Sequence, residues 1–449
     1  MEKRYFGTDG IRGKVGEYPI TAEFMLKLGW AAGKALSSQS CNKILIGKDT
    51  RISGYMFESA LVSGICSMGV NAIMVGVMPT PGIAFLTSSM RADAGIVISA
   101  SHNPLQDNGI KIFSSEGFKL PDEKELAIED FIFANSSYEH KPSPGDLGKV
   151  YRLDDARGRY TVFLKHTFPK EFTLEGTKIV LDCANGATYR VAPDTFFELG
   201  AEVTTLFDHP DGVNINVDCG SQYPEKLAKE VVKRKAEVGF AFDGDGDRLI
   251  AVDEKGCVLT GDQILAVCAS MMKKEGTLAN NLVVRTVMSN IGLSVAFEKL
   301  GIDSVLTKVG DRYVLEEMLS RGAVIGGEDS GHLLFLQHHT TGDGIITALQ
   351  LLTAMKREGK PLSKLAKIMT VFPQDLINID VKTRPDLSTV PEIANVIRDV
   401  EKALGNRGRV LVRYSGTQNM CRVMVEGPTH KETKKHCKRI ADVVKKKLN

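Results

Sequence analysis

Alternate carboxylates on a glycine turn, Asp243-Gly244-Asp245-Gly246-Asp247-Arg248, form the stretch of this sequence with the most chemistry in it. The glycines permit the bend and remove side-chain bulk, so the carboxylates can converge on one point. Three carboxylates so close repel one another unless a cation holds them. Oxygen-only ligation calls for a hard ion, and Mg²⁺ is the usual choice where a phosphate supplies a further ligand. Two structural readings compete with this one. The first is a plain acidic turn. The second is an EF-hand-like calcium loop, for which Glu254 falls at the twelfth position from Asp243. Against it, Arg248 stands where such a loop needs glycine, and the flanks read as strands.

A second stretch, Ile98-Ser99-Ala100-Ser101-His102-Asn103-Pro104, is followed by Asn108-Gly109-Ile110-Lys111. A serine where a strand opens into a loop is expected to be exposed and open to approach. It is not in a G-x-S-x-G elbow, so hydrolase chemistry is not indicated. A serine hydroxyl is a poor nucleophile without activation. Carrying a phosphate, it becomes a donor, and its oxygens then need a cation such as the Asp243 loop could hold. The competing reading is a Ser/Asn/Pro turn without function.

Three further stretches carry weaker signals. Gly326-Gly327-Glu328-Asp329-Ser330-Gly331-His332 offers a carboxylate, a hydroxyl and an imidazole on a flexible loop. Such a set suits sugar hydroxyls, and His332 suits proton transfer near neutral pH. Arg413-Tyr414-Ser415-Gly416-Thr417 offers an arginine, hydroxyls and backbone N–H groups around glycine, a plausible phosphate cradle. In Gly7-Thr8-Asp9-Gly10-Ile11-Arg12-Gly13, Arg12 would add positive charge beside a phosphoryl group. A simple turn competes at each of the three.

The elements that must position these loops alternate. Apolar β-rich runs at 44–46, 95–98, 179–181, 238–242, 282–284 and 323–325 each lead into a polar or Gly-rich loop. Between them lie segments with helical spacing, notably 22–36 and 225–236. Strand, loop and helix in alternation define α/β domains, whose ligands gather beyond the carboxyl ends of the strands. Expected boundaries divide the chain into 1–152 with the serine loop, 153–252 with the carboxylate loop, 253–369 with the Glu328 loop, and 370–449. The last of these reads as a small α+β domain with strands at 376–381, 409–414 and 422–426 and helices at 390–404 and the end.

The chain has 449 residues, too many for one ordinary core, and a formal net charge of +2. No excess of positive charge points to nucleic acid. The lysines of 431–447 read as the solvated face of an amphipathic closing helix. No apolar run is long enough to cross a bilayer, and the opening residues hold no apolar signal segment, so a cytoplasmic protein is expected. The eight cysteines are scattered without metal-site spacing, and several, such as Cys66, Cys183 and Cys268, read as core residues.

Together these stretches resemble the α-D-phosphohexomutase superfamily, in the family's order and over nearly the whole chain. The opening Tyr5-Phe6-Gly7-Thr8-Asp9-Gly10-Ile11-Arg12-Gly13, the stretch Val309-Gly310-Asp311-Arg312-Tyr313-Val314 and the closing Arg422-Val423-Met424-Val425-Glu426-Gly427 are similar to its bacterial amino-sugar branch. The resemblance implies three mixed-sheet α/β domains and a TATA-binding-protein-like domain around a central cleft. It implies interconversion of glucosamine 6-phosphate and glucosamine 1-phosphate, feeding UDP-N-acetylglucosamine synthesis, by way of glucosamine 1,6-bisphosphate. Ser101 would be the phosphoserine, and one Mg²⁺ would sit on Asp243, Asp245, Asp247 and a phosphoserine oxygen. Arg12 and Arg248 would stabilise the transferring group, and Lys111 and His332 would move protons. Glu328 and Ser330 would bind sugar hydroxyls, and Arg413, Ser415, Gly416 and Thr417 the unreacting phosphate. A homodimer is implied as well. Tyr414, Gln418 and Asn419 depart from the family's Lys, Glu and Pro, and Asp329 from its usual Gln. Phosphomannomutases and phosphoglucomutases share the motif chemistry, and a phosphatase or a non-enzymatic sugar-phosphate sensor are the other readings.

Overall fold

The apolar runs are strands, and they assemble into four sheets. The computed structural model describes residues 3–38, 42–134, 143–414 and 419–449. Its first sheet holds β1 (Ile11–Lys14), β2 (Lys43–Lys48), β3 (Asn71–Val77), β4 (Ala94–Ile98), β5 (Asp107–Ser114) and β6 (Val150–Arg152), in the order β1-β5-β4-β2-β3-β6. β2, β3, β4 and β6 run parallel, while β5 lies antiparallel to β4 and β1 antiparallel to β5. Every residue of β4 is buried. A strand covered on both faces has no polar side to show, which is why it reads as a continuous apolar run.

The second sheet holds β7 (Lys178–Asp182), β8 (Glu202–Leu206), β9 (Val238–Phe242), β10 (Leu249–Asp253) and β11 (Val258–Leu259), in the order β11-β10-β9-β7-β8. β9 and β10 are an antiparallel hairpin, so the Asp243 loop is flanked by strands. The EF-hand alternative therefore fails. Glu254 instead accepts hydrogen bonds from the Ser363 hydroxyl and from its N–H at 3.2 Å. The third sheet holds β12 (Leu282–Thr286), β13 (Asp303–Thr307), β14 (Ile325–Gly327) and β15 (Leu333–Phe335), with β15 the antiparallel edge.

Residues 1–288 and 302–368 form one compact unit, which contains these three mixed α/β sheets. Residues 289–301 and 369–449 form a second unit. In it, β16 (Gln374–Asp380), β17 (Arg409–Tyr414) and β18 (Met420–Glu426) make an antiparallel sheet in the order β16-β18-β17. The helices Pro391–Leu404 and His430–Leu448 cover it, and their Ile393, Val400, Ile440 and Val444 share a core with Val423 and Val425. This is the small α+β domain. Along the closing helix Cys437, Ile440, Val444 and Leu448 are buried and the lysines are exposed, as the spacing predicts.

The helix expected over 22–36 forms at Ala22–Leu36, started by Thr21, whose hydroxyl accepts the Phe24 N–H. The one expected over 225–236 stops at Arg234, because Lys235 turns into the left-handed region at φ 53°.

Candidate active site

β4 ends at Ile98, and the chain turns at once through Ser99-Ala100-Ser101. Ser101 is not exposed as expected but 1% exposed, because the Asp243 loop packs against it, and it sits at φ +52°, a conformation that serine rarely adopts. Its hydroxyl donates to Asp243 Oδ2 at 2.5 Å and lies 3.1 Å from His102 Nδ1. The two motifs that stood 142 residues apart are thus one site. Gly244 makes the approach possible, since a Cβ there would meet the Ser101 carbonyl at 2.6 Å. Gly246, at φ +73°, completes the turn that brings Asp247 back beside its neighbours.

Asp243, Asp245 and Asp247 are buried, each with a carboxylate oxygen within 4.8 Å of the others'. Asp245 Oδ1 and Asp247 Oδ1 have no hydrogen-bond partner among the described residues. Buried, unpartnered carboxylate oxygens are costly, and a hard cation satisfies them. The donor set fits Mg²⁺. Burial, then repulsion from Asp247 and Asp245, pushes the Asp243 carboxyl well above the usual carboxylate range.

Cations close the cluster. Lys111, on β5, is 2% exposed and reaches Asp245 Oδ2 at 2.9 Å, Asp247 Oδ2 at 3.0 Å and Asp9 Oδ2 at 3.2 Å. Burial opposes its charge, but Asp245, Asp247 and Asp9 outweigh burial and hold its pKa well above an ordinary lysine's. Arg248 donates its backbone N–H to Asp243 Oδ1 at 3.1 Å, and its buried Nε, 3.7 Å from Asp247 Oδ1, makes no hydrogen bond. Arg12, on β1, pairs with Asp9 and also keeps a buried Nε unpartnered. Two guanidinium groups thus hold donors available for a further anion.

His332 follows β14 and precedes β15. Its Nδ1 is 3.6 Å from Asp247 Oδ1 and its Nε2 is 3.5 Å from Asp311 Oδ2. Burial disfavours the imidazolium, yet Asp247 and Asp311 prevail and its pKa is raised. Glu328 Oε1 accepts the Gly310 N–H at 3.0 Å. Ser330 is exposed on the same loop, while Asp329 Oδ1 faces the Asp262 N–H at 3.4 Å. The first unit therefore gathers Ser101, Lys111, Arg12, Arg248, the three aspartates and His332 in one network of contacts, with Glu328 near enough to act on Arg248.

In the second unit Arg413 lies near the end of β17, directly across the register from Arg422. Burial, then Arg422, lowers its pKa. Tyr414, where the family carries lysine, donates its hydroxyl to the Pro385 carbonyl at 2.7 Å. Ser415, Gly416 and Thr417 lie outside the described residues.

Several contributors carry no local signal. Thr80, at the start of the helix Thr80–Ser89, donates its N–H to the Asp245 carbonyl at 2.8 Å and its hydroxyl to Asp245 Oδ2 at 2.6 Å. Lys119 bridges Asp9 and Asp311. Asp9 and Asp311 stood inside motifs, but their shared lysine could not be inferred from either.

A serine hydroxyl on a buried carboxylate triad, at the carboxyl ends of strands and beside free guanidinium donors, is the layout of a phosphoryl-transfer site. The comparisons agree. Family models for phosphoglucomutase/phosphomannomutase match in chain order: alpha/beta/alpha domain I at residues 3–139, II at 159–256, III at 260–372, and the C-terminal domain at 376–443. The phosphoglucosamine mutase of Syntrophus aciditrophicus is 74% identical over 446 residues, 99% of each chain. That of Syntrophobacter fumaroxidans is 60% identical over 98% of each. A crystal structure of a phosphoglucomutase/phosphomannomutase family protein from Burkholderia thailandensis shares the fold, with TM-score 0.80 over 98% of each chain at 23% identity. The chain belongs to the phosphoglucosamine mutase family of the α-D-phosphohexomutases.

Proposed function

We propose that this protein interconverts glucosamine 6-phosphate and glucosamine 1-phosphate through phosphorylated Ser101. The observation that carries the reading is the Ser101 hydroxyl, 2.5 Å from Asp243 and next to two carboxylate oxygens without hydrogen-bond partners. Asp243, Asp245 and Asp247, with a phosphoserine oxygen, would hold Mg²⁺, which would supply charge neutralisation to the phosphoryl group.

The remaining work belongs to side chains. The Oγ–P bond of phosphorylated Ser101 breaks as a sugar hydroxyl oxygen forms the new bond to phosphorus, giving the 1,6-bisphosphate. The hydroxyl proton passes to Nε2 of the neutral form of His332, a buried ring nitrogen without a hydrogen-bond partner, and the imidazolium so formed is stabilised by Asp247 and Asp311. Lys111, held as an ammonium by its carboxylates, is the acid for the departing Ser101 oxygen. Arg12 and Arg248 direct their free Nε–H groups to the equatorial oxygens. After the bisphosphate turns over, its other phosphate returns to Ser101 with the proton movements reversed. Glu328 and Ser330 bind sugar hydroxyls. Arg413, with Ser415, Gly416 and Thr417, binds the phosphate that is not reacting. A cytoplasmic homodimer completes the proposal.

Turnover of phosphorylated protein with Mg²⁺ on glucosamine, glucose and mannose 6-phosphates, each with a trace of bisphosphate, tests it. The expected result is preference for the amino sugar and near loss of turnover in Ser101→Ala. Phosphate release without isomerisation would establish a phosphatase. Binding without turnover, with Ser101 phosphorylation confirmed by mass, would establish a sensor.

A further inference from the structure

The guanidinium of Arg51 is fully buried, and all of its N–H donors are engaged. Nε donates to Asp49 Oδ2 at 2.9 Å. Nη1 donates to the carbonyls of Pro104 at 2.6 Å and Asp107 at 3.0 Å. Nη2 donates to the carbonyls of Ser101 at 3.0 Å and Asn103 at 2.7 Å. Three of these carbonyls belong to the loop that carries Ser101, and the fourth, that of Asp107, stands where the loop enters β5.

A second link runs through Asp49. Its Oδ2 accepts the Ser99 hydroxyl at 2.6 Å, and Ser99 Oγ accepts the Ser101 N–H at 2.9 Å. Ser101 is therefore gripped on both sides of its left-handed backbone, by its N–H through Ser99 and by its carbonyl through Arg51. Asn216, from another part of the chain, adds donors to the same Ser101 and Asn103 carbonyls at 2.9 and 3.1 Å.

We propose that Arg51, acting with Asp49 and Ser99, is the positioning residue of the phosphoryl donor. It fixes the backbone so that Ser101 Oγ occupies one place whether or not it carries phosphate. This rests on Ser101 being the donor. The reaction uses Oγ twice per cycle, once as leaving group and once as acceptor, so a single fixed position serves both halves. Displacing a reacting atom by about 1 Å costs on the order of 100-fold in rate. Arg51 touches none of the reacting atoms, and its effect passes through the loop alone. A lysine cannot replace it, because one ammonium has three donors and no planar fork.

The test is single-turnover transfer from phosphorylated protein to glucosamine 6-phosphate, with KM and the thermal midpoint measured on the same preparations. In Arg51→Lys, transfer should slow roughly 100-fold while KM for the sugar phosphate moves by less than about threefold. In Arg51→Ala, added guanidinium ion should restore at least about tenfold of the lost rate, with no such effect on wild type. Folded Arg51→Lys that transfers at the wild-type rate overturns the proposal, as does a loss confined to KM. If Arg51→Lys does not fold, Ser99→Ala carries the test. It cuts the link to the Ser101 N–H without leaving a charge unpaired, and wild-type transfer there overturns the proposal equally. Ser101→Ala run alongside separates the two ideas. Full turnover in it overturns the phosphoserine reading and this one together, whereas inactive Ser101→Ala beside fully active Arg51→Lys overturns only the role of Arg51.

Discussion

Around Asp243, Asp245 and Asp247, opposite charges interleave: Lys111 touches three carboxylates, Lys119 two, and Arg248 and Arg12 stand beside them. On β17 and β18, two arginines face each other across the register instead, and neither has an ion pair among the described residues. The first arrangement holds itself together in the absence of substrate. The second leaves two like charges side by side, which the phosphate proposed to bind there would relieve. A group that transfers phosphoryl must keep its geometry between turnovers, whereas a group that only grips phosphate benefits from being unsatisfied until the ligand arrives.

Removing the centre of the compensated cluster should have the largest effect. Lys111→Met leaves buried carboxylates without their shared counter-charge, a change of about 3–5 kcal/mol in stability. The urea midpoint of metal-free protein should fall sharply, and Mg²⁺ should recover more of it in the variant than in wild type. A variant with the wild-type midpoint in the absence of metal would show that the cluster does not depend on Lys111.

Burial without a counter-charge takes the opposite course at His339. Its Nε2 lies 2.8 Å from the Pro81 carbonyl and its Nδ1 accepts the Thr340 N–H at 2.8 Å. Burial pulls its pKa down to about 4, against 6.5 for a free histidine, so the folded protein keeps it neutral. Between those values the unfolded chain binds a proton that the folded one refuses. Stability is therefore lost as pH falls from 6.5 towards 4, by about 3 kcal/mol if the shift is complete. Asp182 and Asp343, both raised to about 6 chiefly by burial, act with the opposite sign as pH falls from 6 to 3.8. The difference between wild type and His339→Gln isolates the histidine. That difference should narrow on acidification with a slope approaching one proton, and parallel curves would refute it.

The uncompensated pair makes the reverse prediction from Lys111. Arg413→Ala should raise KM for glucosamine 6-phosphate by about 10- to 100-fold, the worth of one charge-assisted hydrogen bond. Its urea midpoint should stay level or rise, since a like-charge contact is removed. A fall in stability with unchanged KM would place Arg413 among structural residues and erase the contrast.

What could be read in advance follows the range of each interaction. The carboxylate loop was legible because its three aspartates are close in sequence, and the helix Ala22–Leu36 because its apolar spacing is local. Ser101 was legible because a strand opening into a polar loop marks a ligand-facing end. Lys119 and Asp311 were not, since their bridge spans 192 residues. Arg51 stood in a polar loop after an apolar run, but its acceptors are mainly carbonyls, which every residue type possesses. Lys235 ended its helix early through a backbone conformation that no propensity marks in a lysine.

Thr80 gives the smallest effect and sharpens the comparison most finely, because it alters the cluster without touching a charge. Its hydroxyl and N–H together fix the orientation of Asp245, leaving Oδ1 as the oxygen without a partner. Thr80→Val keeps the shape and the N–H bond but removes the hydroxyl. Outer partners of metal ligands typically contribute 10- to 100-fold in affinity, and with Lys111 still holding the same oxygen at 2.9 Å the lower end, about tenfold, is expected. Titration of metal-free protein with Mg²⁺, followed by the shift in its thermal midpoint, reads this directly. If affinity falls about tenfold while Lys111→Met destabilises the metal-free fold, the cluster separates into a charge-balancing part and an orienting part. If Thr80→Val binds Mg²⁺ as tightly as wild type, Lys111 alone orients Asp245, and charge balance and orientation rest on one residue.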